Sequence, residues 1–318
     1  MFVAATQICP MNDPTTISDK DDLTSVVAEL ASLRREVQAI ARRIDGAGES
    51  VVNRLARRGF DIHRAEPLEA CCFPIGADAG FLDTFYEWLK KYSFRLVLRD
   101  MIREAEGFTI GSLTRYCARE QCERYVEQAV ELGLVEPAGP QRWRMAAGAR
   151  DSFGETLEWF VAELFRRELG CEASWGITLR DTKHGGDYDV IAFVEGHMVY
   201  VEVKSAPPKH IASPELAAFF RRVRTLKPQM AIFFEDTELR MADKIVPMVE
   251  EVLADEYGPA ATQYPVSRLQ DELFHVNNSL YIVNARPDVA GNFTVCLRDF
   301  LGTRARPTAP VLNIPPTL

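Results

Sequence analysis

Between Leu23 and Ile44 the apolar residues Leu23, Val26, Leu30, Leu33, Val37, Ile40 and Ile44 follow one another at alternating steps of three and four. That alternation is the seam of a heptad repeat, and Arg, Glu and Gln fill the outer positions. Ala47 and Val51 can extend the seam, although Gly46 and Gly48 weaken a helix there. We read residues 21–70 as a helical segment whose 21–50 stretch forms a dimeric coiled coil. One amphipathic helix docked on its own domain is the alternative. Residues 1–20, polar and carrying Pro10 and Pro14, read as a loose leader.

Helical spacing returns over residues 81–106, with Phe85, Trp88, Leu89, Leu96, Val97, Met101 and Ile102 apolar, until Gly107 interrupts it. Thr109 or Ser112 can cap a short second helix through Tyr116. A third helix is expected over 119–132, then strand, turn and strand over 134–144. Three helices and a hairpin within 81–146 resemble a winged helix-turn-helix domain. The resemblance implies a third helix in the DNA major groove and a wing, with Arg142 and Arg144, on the backbone. Glu120, Glu123, Glu127 and Glu131 on that helix would repel phosphates. Contact with DNA and contact with a protein partner both stay open.

Past residue 150 the period changes. An amphipathic helix over 153–169 is stopped by Gly170, and strands are expected over 173–179, 189–194 and 198–204. A helix over 214–226, a strand over 229–234, a helix over 241–256 and strands over 279–284 and 292–297 complete the series. Helices interleaved with strands give an α/β fold: a mixed sheet flanked by helices, spanning 150–303. Four prolines after residue 304 mark 304–318 as a tail.

Composition narrows the function. The 318 residues are 47% hydrophobic and 26% charged, which excludes a disordered or fibrous chain. The longest apolar runs, 216–220 and 230–234, fall far short of the ~20 residues that span a bilayer. With no basic leader at the start, a cytoplasmic location is expected. A net charge of −9 disfavours a protein that coats nucleic acid with its whole surface. It leaves room for a local basic groove or for carboxylates that hold metal. The seven cysteines form no zinc-spaced cluster, and Cys117 and Cys122, five apart, would not share a helix face. No phosphate-binding glycine loop of the G-x-x-x-x-G-K-[ST] kind occurs.

The chemistry concentrates in two strands. Alternation puts Val199, Val201 and Val203 on one face of the strand 198–204 and Tyr200, Glu202 and Lys204 on the other. A hairpin through Gly196 returns the chain so that Asp189 lies beside Glu202 and Lys204. Charges at the end of so apolar a pair of strands need partners. Two carboxylates can hold a divalent cation, Mg2+ or Mn2+, that polarises a phosphoryl oxygen, and a lysine can orient the attacking water. The Val203 carbonyl is a further oxygen ligand in this reading.

The run Gly185-Gly186-Asp187-Tyr188-Asp189-Val190-Ile191-Ala192, followed by Glu202-Val203-Lys204, resembles the PD-(D/E)xK nuclease superfamily. Its Mrr-type restriction and archaeal Holliday-junction resolvase branches are the nearest. Gly154-Glu155-Thr156-Leu157-Glu158 resembles the glycine and acidic residue of that family's first core helix. The resemblance covers about 152–235, with Tyr188 in place of the family's proline. It implies a restriction-endonuclease-like fold, with Asp189 and Glu202 as metal ligands, Lys204 as the catalytic lysine and Glu158 as a further ligand. Asp187 shares a strand face with Asp189 and is the other candidate.

Lys209 follows the second strand, where a substrate backbone would pass, and Arg221 and Arg222, with Arg224 and Lys227, form a basic patch. The expected function is a metal-dependent endonuclease acting on DNA as a homodimer, with RNA compatible with the same chemistry. The alternatives are a non-catalytic DNA-binding regulator and a scaffold built on the coil and the winged helix.

Overall fold

The structure, a computed structural model, describes residues 50–146, 153–180 and 187–304. The leader, the heptad seam over 21–49, the turn 181–186 with Gly185 and Gly186, and the tail 305–318 lie outside the described residues.

The first described helix, α1 (Val51–Arg57), is capped by Ser50, whose side chain accepts from the Asn53 N–H. Gly59, at φ +87°, turns the chain into strand β1 (Ile62–Arg64). Val51 and Leu55 are buried against the sheet. The expected helical segment 21–70 therefore changes character within its length, and residues 51–64 belong to the sheet layers.

Helices α2 (Ala79–Leu89) and α3 (Tyr92–Arg103) replace the single helix expected over 81–106. Arg95 causes the break. Its guanidinium donates to the Leu89 carbonyl at 2.6 Å, an acceptor that an unbroken helix would use for its own ladder. The same guanidinium donates twice to Asp236 Oδ1, at 2.9 and 2.7 Å, and so ties this corner to the sheet. Helix α4 (Ile110–Leu113) is shorter than expected, and α5 (Arg119–Glu131) follows. An antiparallel hairpin of β2 (Val135–Gly139) and β3 (Arg142–Met145) closes the unit. Cys117 precedes α5, so the face argument does not apply to it, and its sulfur lies 3.1 Å from that of Cys122.

The rest of the chain runs α6 (Gly154–Arg167), β4 (Glu172–Leu179), β5 (Asp187–Val194), β6 (His197–Lys204), α7 (Ser213–Leu226) and β7 (Met230–Glu235). It continues with α8 (Ile245–Tyr257), β8 (Val266–Gln270), β9 (Leu273–Val276), β10 (Leu280–Val283) and α9 (Val289–Arg304). Eight strands form one mixed sheet in the order β1-β4-β5-β6-β7-β10-β9-β8. β6, β7 and β10 are parallel neighbours, and the other pairs are antiparallel.

One sheet face packs on α6, α9 and the N-terminal helices, through residues such as Phe160, Phe165, Phe293 and Phe300. The other packs on α1, α7 and α8, through Leu55, Phe219, Val223 and Val249. The molecule is thus a large mixed α/β sheet with helices on both faces. The strand expected over 292–297 is helical. Val289, Phe293, Cys296, Leu297 and Phe300 recur at helical spacing on the buried side, and Asp288 accepts from the Gly291 N–H at 2.7 Å to start the turn. The β8–β9 hairpin has no counterpart in the sequence reading. No described helix is long and apolar enough to cross a membrane.

Candidate active site

The β5–β6 hairpin turns at Glu195 and Gly196, both at positive φ (+47° and +81°). Its register pairs Val190 with Val201, which brings Asp189 level with Glu202 and Val203. The Val203 N–H donates to Asp189 Oδ2 at 2.7 Å and fixes that carboxylate against the neighbouring strand. Burial, and then the Glu202 charge, push the Asp189 carboxyl up to about 7, against the pull of the Val203 N–H. Asp187 takes the other fate. It is exposed, and its Oδ1 accepts from Thr178 Oγ1 at 2.8 Å at the sheet margin.

Glu202 is 0% exposed. Lys204 Nζ lies 2.9 Å from its Oε1, Arg222 Nη1 donates to both oxygens at 3.2 and 3.1 Å, and the Tyr200 hydroxyl donates to Oε2. Two cations and a phenol therefore satisfy this buried carboxylate. Burial pulls the Lys204 ammonium down, but Glu202 beside it more than offsets this and holds it above the ordinary lysine range. Lys204 is thus a permanent cation and hydrogen-bond donor at neutral pH, with Glu215 3.6 Å away on its outer side.

Glu158 reaches the same place from α6 on the other sheet face. The helix is anchored by Thr156, whose Oγ1 accepts from the Cys72 N–H at 2.9 Å. Gly176 in β4, at φ +56°, makes room: a Cβ there would meet Pro67 Cδ at 2.6 Å and come to 3.8 Å from Glu158 Oε2. Around this glycine the strands switch faces. Trp175 and Val190 pack on the α6 side, Ile177 and Tyr188 on the α7 side. Burial, and then the Asp189 charge, push the Glu158 carboxyl up to about 9. Among the described residues Glu158 has no ion-pair partner. Asp189 is the common element, since its charge acts on Glu158 from one side and on Lys204 and Arg222 from the other.

Of the sequence-predicted residues, Asp189, Glu202, Lys204 and Glu158 come together at this end of the sheet. Arg222 comes with them, but as a partner of Glu202 and not as an open surface cation. Arg224 is paired with Glu256 at 2.5 Å. Lys209 stands exposed on a short turn, Pro208–His210. In the hairpin Arg144 is paired with Glu136 at 2.6 Å, and Arg142 Nη2 donates to the Gly107 carbonyl at 3.4 Å. Neither reaches the site.

One participant escaped the sequence reading, and another was read in a different role. Arg222 was expected in a basic patch facing nucleic acid, and the structure puts it on Glu202 instead. Glu235, at the end of β7 and paired in register with Lys204, is 0% exposed, with neither carboxylate oxygen hydrogen-bonded. Burial pushes it up to about 8, against the pull of Lys244. The apolar run before it hid it.

The donor set bears on the divalent cation that the superfamily resemblance implies. No group of three or more His, Cys, Asp or Glu among the described residues is arranged to hold a metal. Glu202 does not fit that role in this arrangement, because its oxygens are spent on Lys204, Arg222 and Tyr200. Asp189 and Glu158 do fit it. Magnesium is commonly held by one or two carboxylates and several waters, and neither of these two carboxylates has its oxygens taken up by an ion pair among the described residues.

No family model and no curated protein matches the chain. Among solved structures it is similar to protein VC1899 from Vibrio cholerae, with 11% identity and a TM-score of 0.40 over 55% of this chain and 52% of that one. It is also similar to Can2 from Sulfobacillus thermosulfidooxidans, solved in complex with cyclic tetra-adenylate, with 14% identity and a TM-score of 0.41. That match covers 69% of this chain and 54% of the other. The chain thus spans about half the length of either structure.

Proposed function

We propose that the protein is a metal-dependent phosphodiesterase, an endonuclease with a restriction-endonuclease-like core and an N-terminal winged-helix-like unit. The observation that carries this reading is the convergence of two carboxylates, Glu158 and Asp189, from opposite faces of the sheet at the end that also holds Lys204, with the Asp189 charge acting on both. Asp189 and Glu158 would hold the divalent ion, Mg2+ or Mn2+, which supplies charge for the phosphoryl oxygen and acidifies water. The chain does the rest. The Val203 N–H keeps Asp189 from rotating, and Gly176 lets Glu158 approach from the opposite sheet face. Lys204, kept charged by Glu202, donates to the attacking water or to the phosphoryl oxygen where negative charge grows. It does not act as a base. Arg222 and Tyr200 hold Glu202, and Glu202 in turn holds Lys204, so the lysine is aimed before substrate arrives.

The test is a substrate panel with Mn2+, with Mg2+ and with EDTA: plasmid, linear duplex, single-stranded DNA, branched DNA and RNA, for wild type beside Lys204→Ala. Metal-dependent cutting of at least one substrate, lowered at least about 100-fold in the variant, supports the reading. Cutting that ignores EDTA or the substitution, or no cutting of any substrate, removes it and favours a regulator or scaffold.

A further inference from the structure

Helix α5 presents two unlike grooves on its opposite sides. One, about 980 Å3, runs between α4, α5 and the β2–β3 hairpin, and Glu123, Glu127 and Glu131 line it beside Arg119. Arg119 is already bound to Glu123 at 3.0 Å, so this groove repels phosphates. The second, about 630 Å3, lies between α2, α3 and α5 and the loops after β7 and β10. Its lining includes Trp88, Tyr92 and Tyr116, with Lys90, Lys91 and Arg124, and Glu238 is its one carboxylate.

The chemistry of the second cleft is specific. Tyr116 is 40% exposed, an unusual place for a large ring. Lys91 Nζ sits 3.7 Å from the Trp88 ring centroid, so the electron-rich face of that ring is turned toward the cleft's cations. Lys90 is neutralised by Glu168 at 2.9 Å, but Lys91 and Arg124 have no ion pair among the described residues. Arg124 donates to Gln121 at 2.5 Å, and Arg115 lies 5.2 Å from the Tyr116 ring centroid. Exposed aromatic rings here thus stand beside cations with no carboxylate partner among the described residues, a setting that suits a base that stacks and a phosphate that pairs. A base inside a duplex exposes no face to stack on.

The cleft also lies at the proposed catalytic end of the sheet. Lys204 and Glu235 are cross-strand partners in register, and Glu238, in the lining, is three residues further on. Its Cα is therefore within roughly 16 Å of that of Lys204, from strand spacing and chain reach. The Arg95–Asp236 pair locks the corner that carries Lys90, Lys91 and Tyr92 to this sheet end.

We infer that this basic, aromatic cleft binds an unpaired nucleotide of a nucleic-acid strand, next to the site where the strand is cut. The inference deepens the phosphodiesterase reading and rests on it for the cutting, but the binding itself needs no metal. The test is therefore made in EDTA, by the anisotropy of a labelled 15-nucleotide DNA strand. Its competitors are the same sequence as blunt duplex and a free mononucleotide.

Wild type should bind the strand at least about tenfold more tightly than the duplex, and Tyr116→Ala and Lys91→Ala should each weaken it about fivefold to tenfold. Both positions are exposed, so neither variant threatens the fold. Glu238→Gln should tighten binding. Strand affinity untouched by Tyr116→Ala and Lys91→Ala, or a preference for duplex, overturns the inference. A mononucleotide that competes as well as the strand assigns the cleft to a free nucleotide and also overturns it. Loss of cutting with this binding preserved would strike the phosphodiesterase reading alone.

Discussion

Glu158, Asp189 and Glu235 are each more basic in the folded protein than in the unfolded chain, chiefly because burial disfavours the charged form. The unfolded chain therefore holds fewer protons on them between about pH 4.5 and 9, and stability must fall as pH rises through that window. Their contribution is complete below the unfolded value and gone above the folded one. Glu235→Gln should remove part of the slope, adding on the order of 2 kcal/mol at pH 9 and almost nothing at pH 4. Urea melts at the two pH values check this. Glu202 is held by two cations and a phenol: Arg222→Met, which keeps the bulk and deletes the charge, should cost about 2–4 kcal/mol by leaving the carboxylate short of a partner. An Arg222→Met protein that melts with wild type would show that Lys204 alone suffices.

At the scale of the element, the apolar strands, the turn at Gly196 and the pairing of Asp189 with Glu202 were all legible in the sequence, because alternation and turn chemistry are local. What was not legible was set by tertiary partners. Arg95 splits α2 from α3 by donating to the Leu89 carbonyl while its guanidinium is held by Asp236, more than a hundred residues away in sequence. The 292–297 stretch has β-rich residues but is helical, since the sheet needs a helix over that face. Arg222 and Glu235 look ordinary until α7 and β7 bring them to the sheet end. Gly176 is of the same kind, an unremarked residue in a strand. Gly176→Ala should destabilise the fold by about 2–3 kcal/mol, through its positive φ and the clash with Pro67, and should displace Glu158. Thermal melts give the first effect, and loss of metal-linked stabilisation gives the second.

For the whole molecule, a net charge of −9 and the proposed nucleic-acid substrate are reconciled by segregation. Acid collects in the groove beside Glu123, Glu127 and Glu131, and base in the cleft on the opposite side of α5. The heptad seam of residues 21–50 is expected to join two such molecules, giving one cutting site per strand of a duplex or junction. Sedimentation should find a dimer that Leu30→Lys with Ile40→Lys converts to monomer. A monomeric wild type would leave the seam docked on its own chain.

The most direct measurement is a calorimetric Mn2+ titration of wild type and Asp189→Asn at pH 6 and pH 8. A cation must displace protons from Glu158 and Asp189, so wild type should take up metal more tightly at pH 8, and the variant should lose that site. No binding at either pH, or equal binding by the Asp189→Asn protein, would contradict a metal centre built on these two carboxylates.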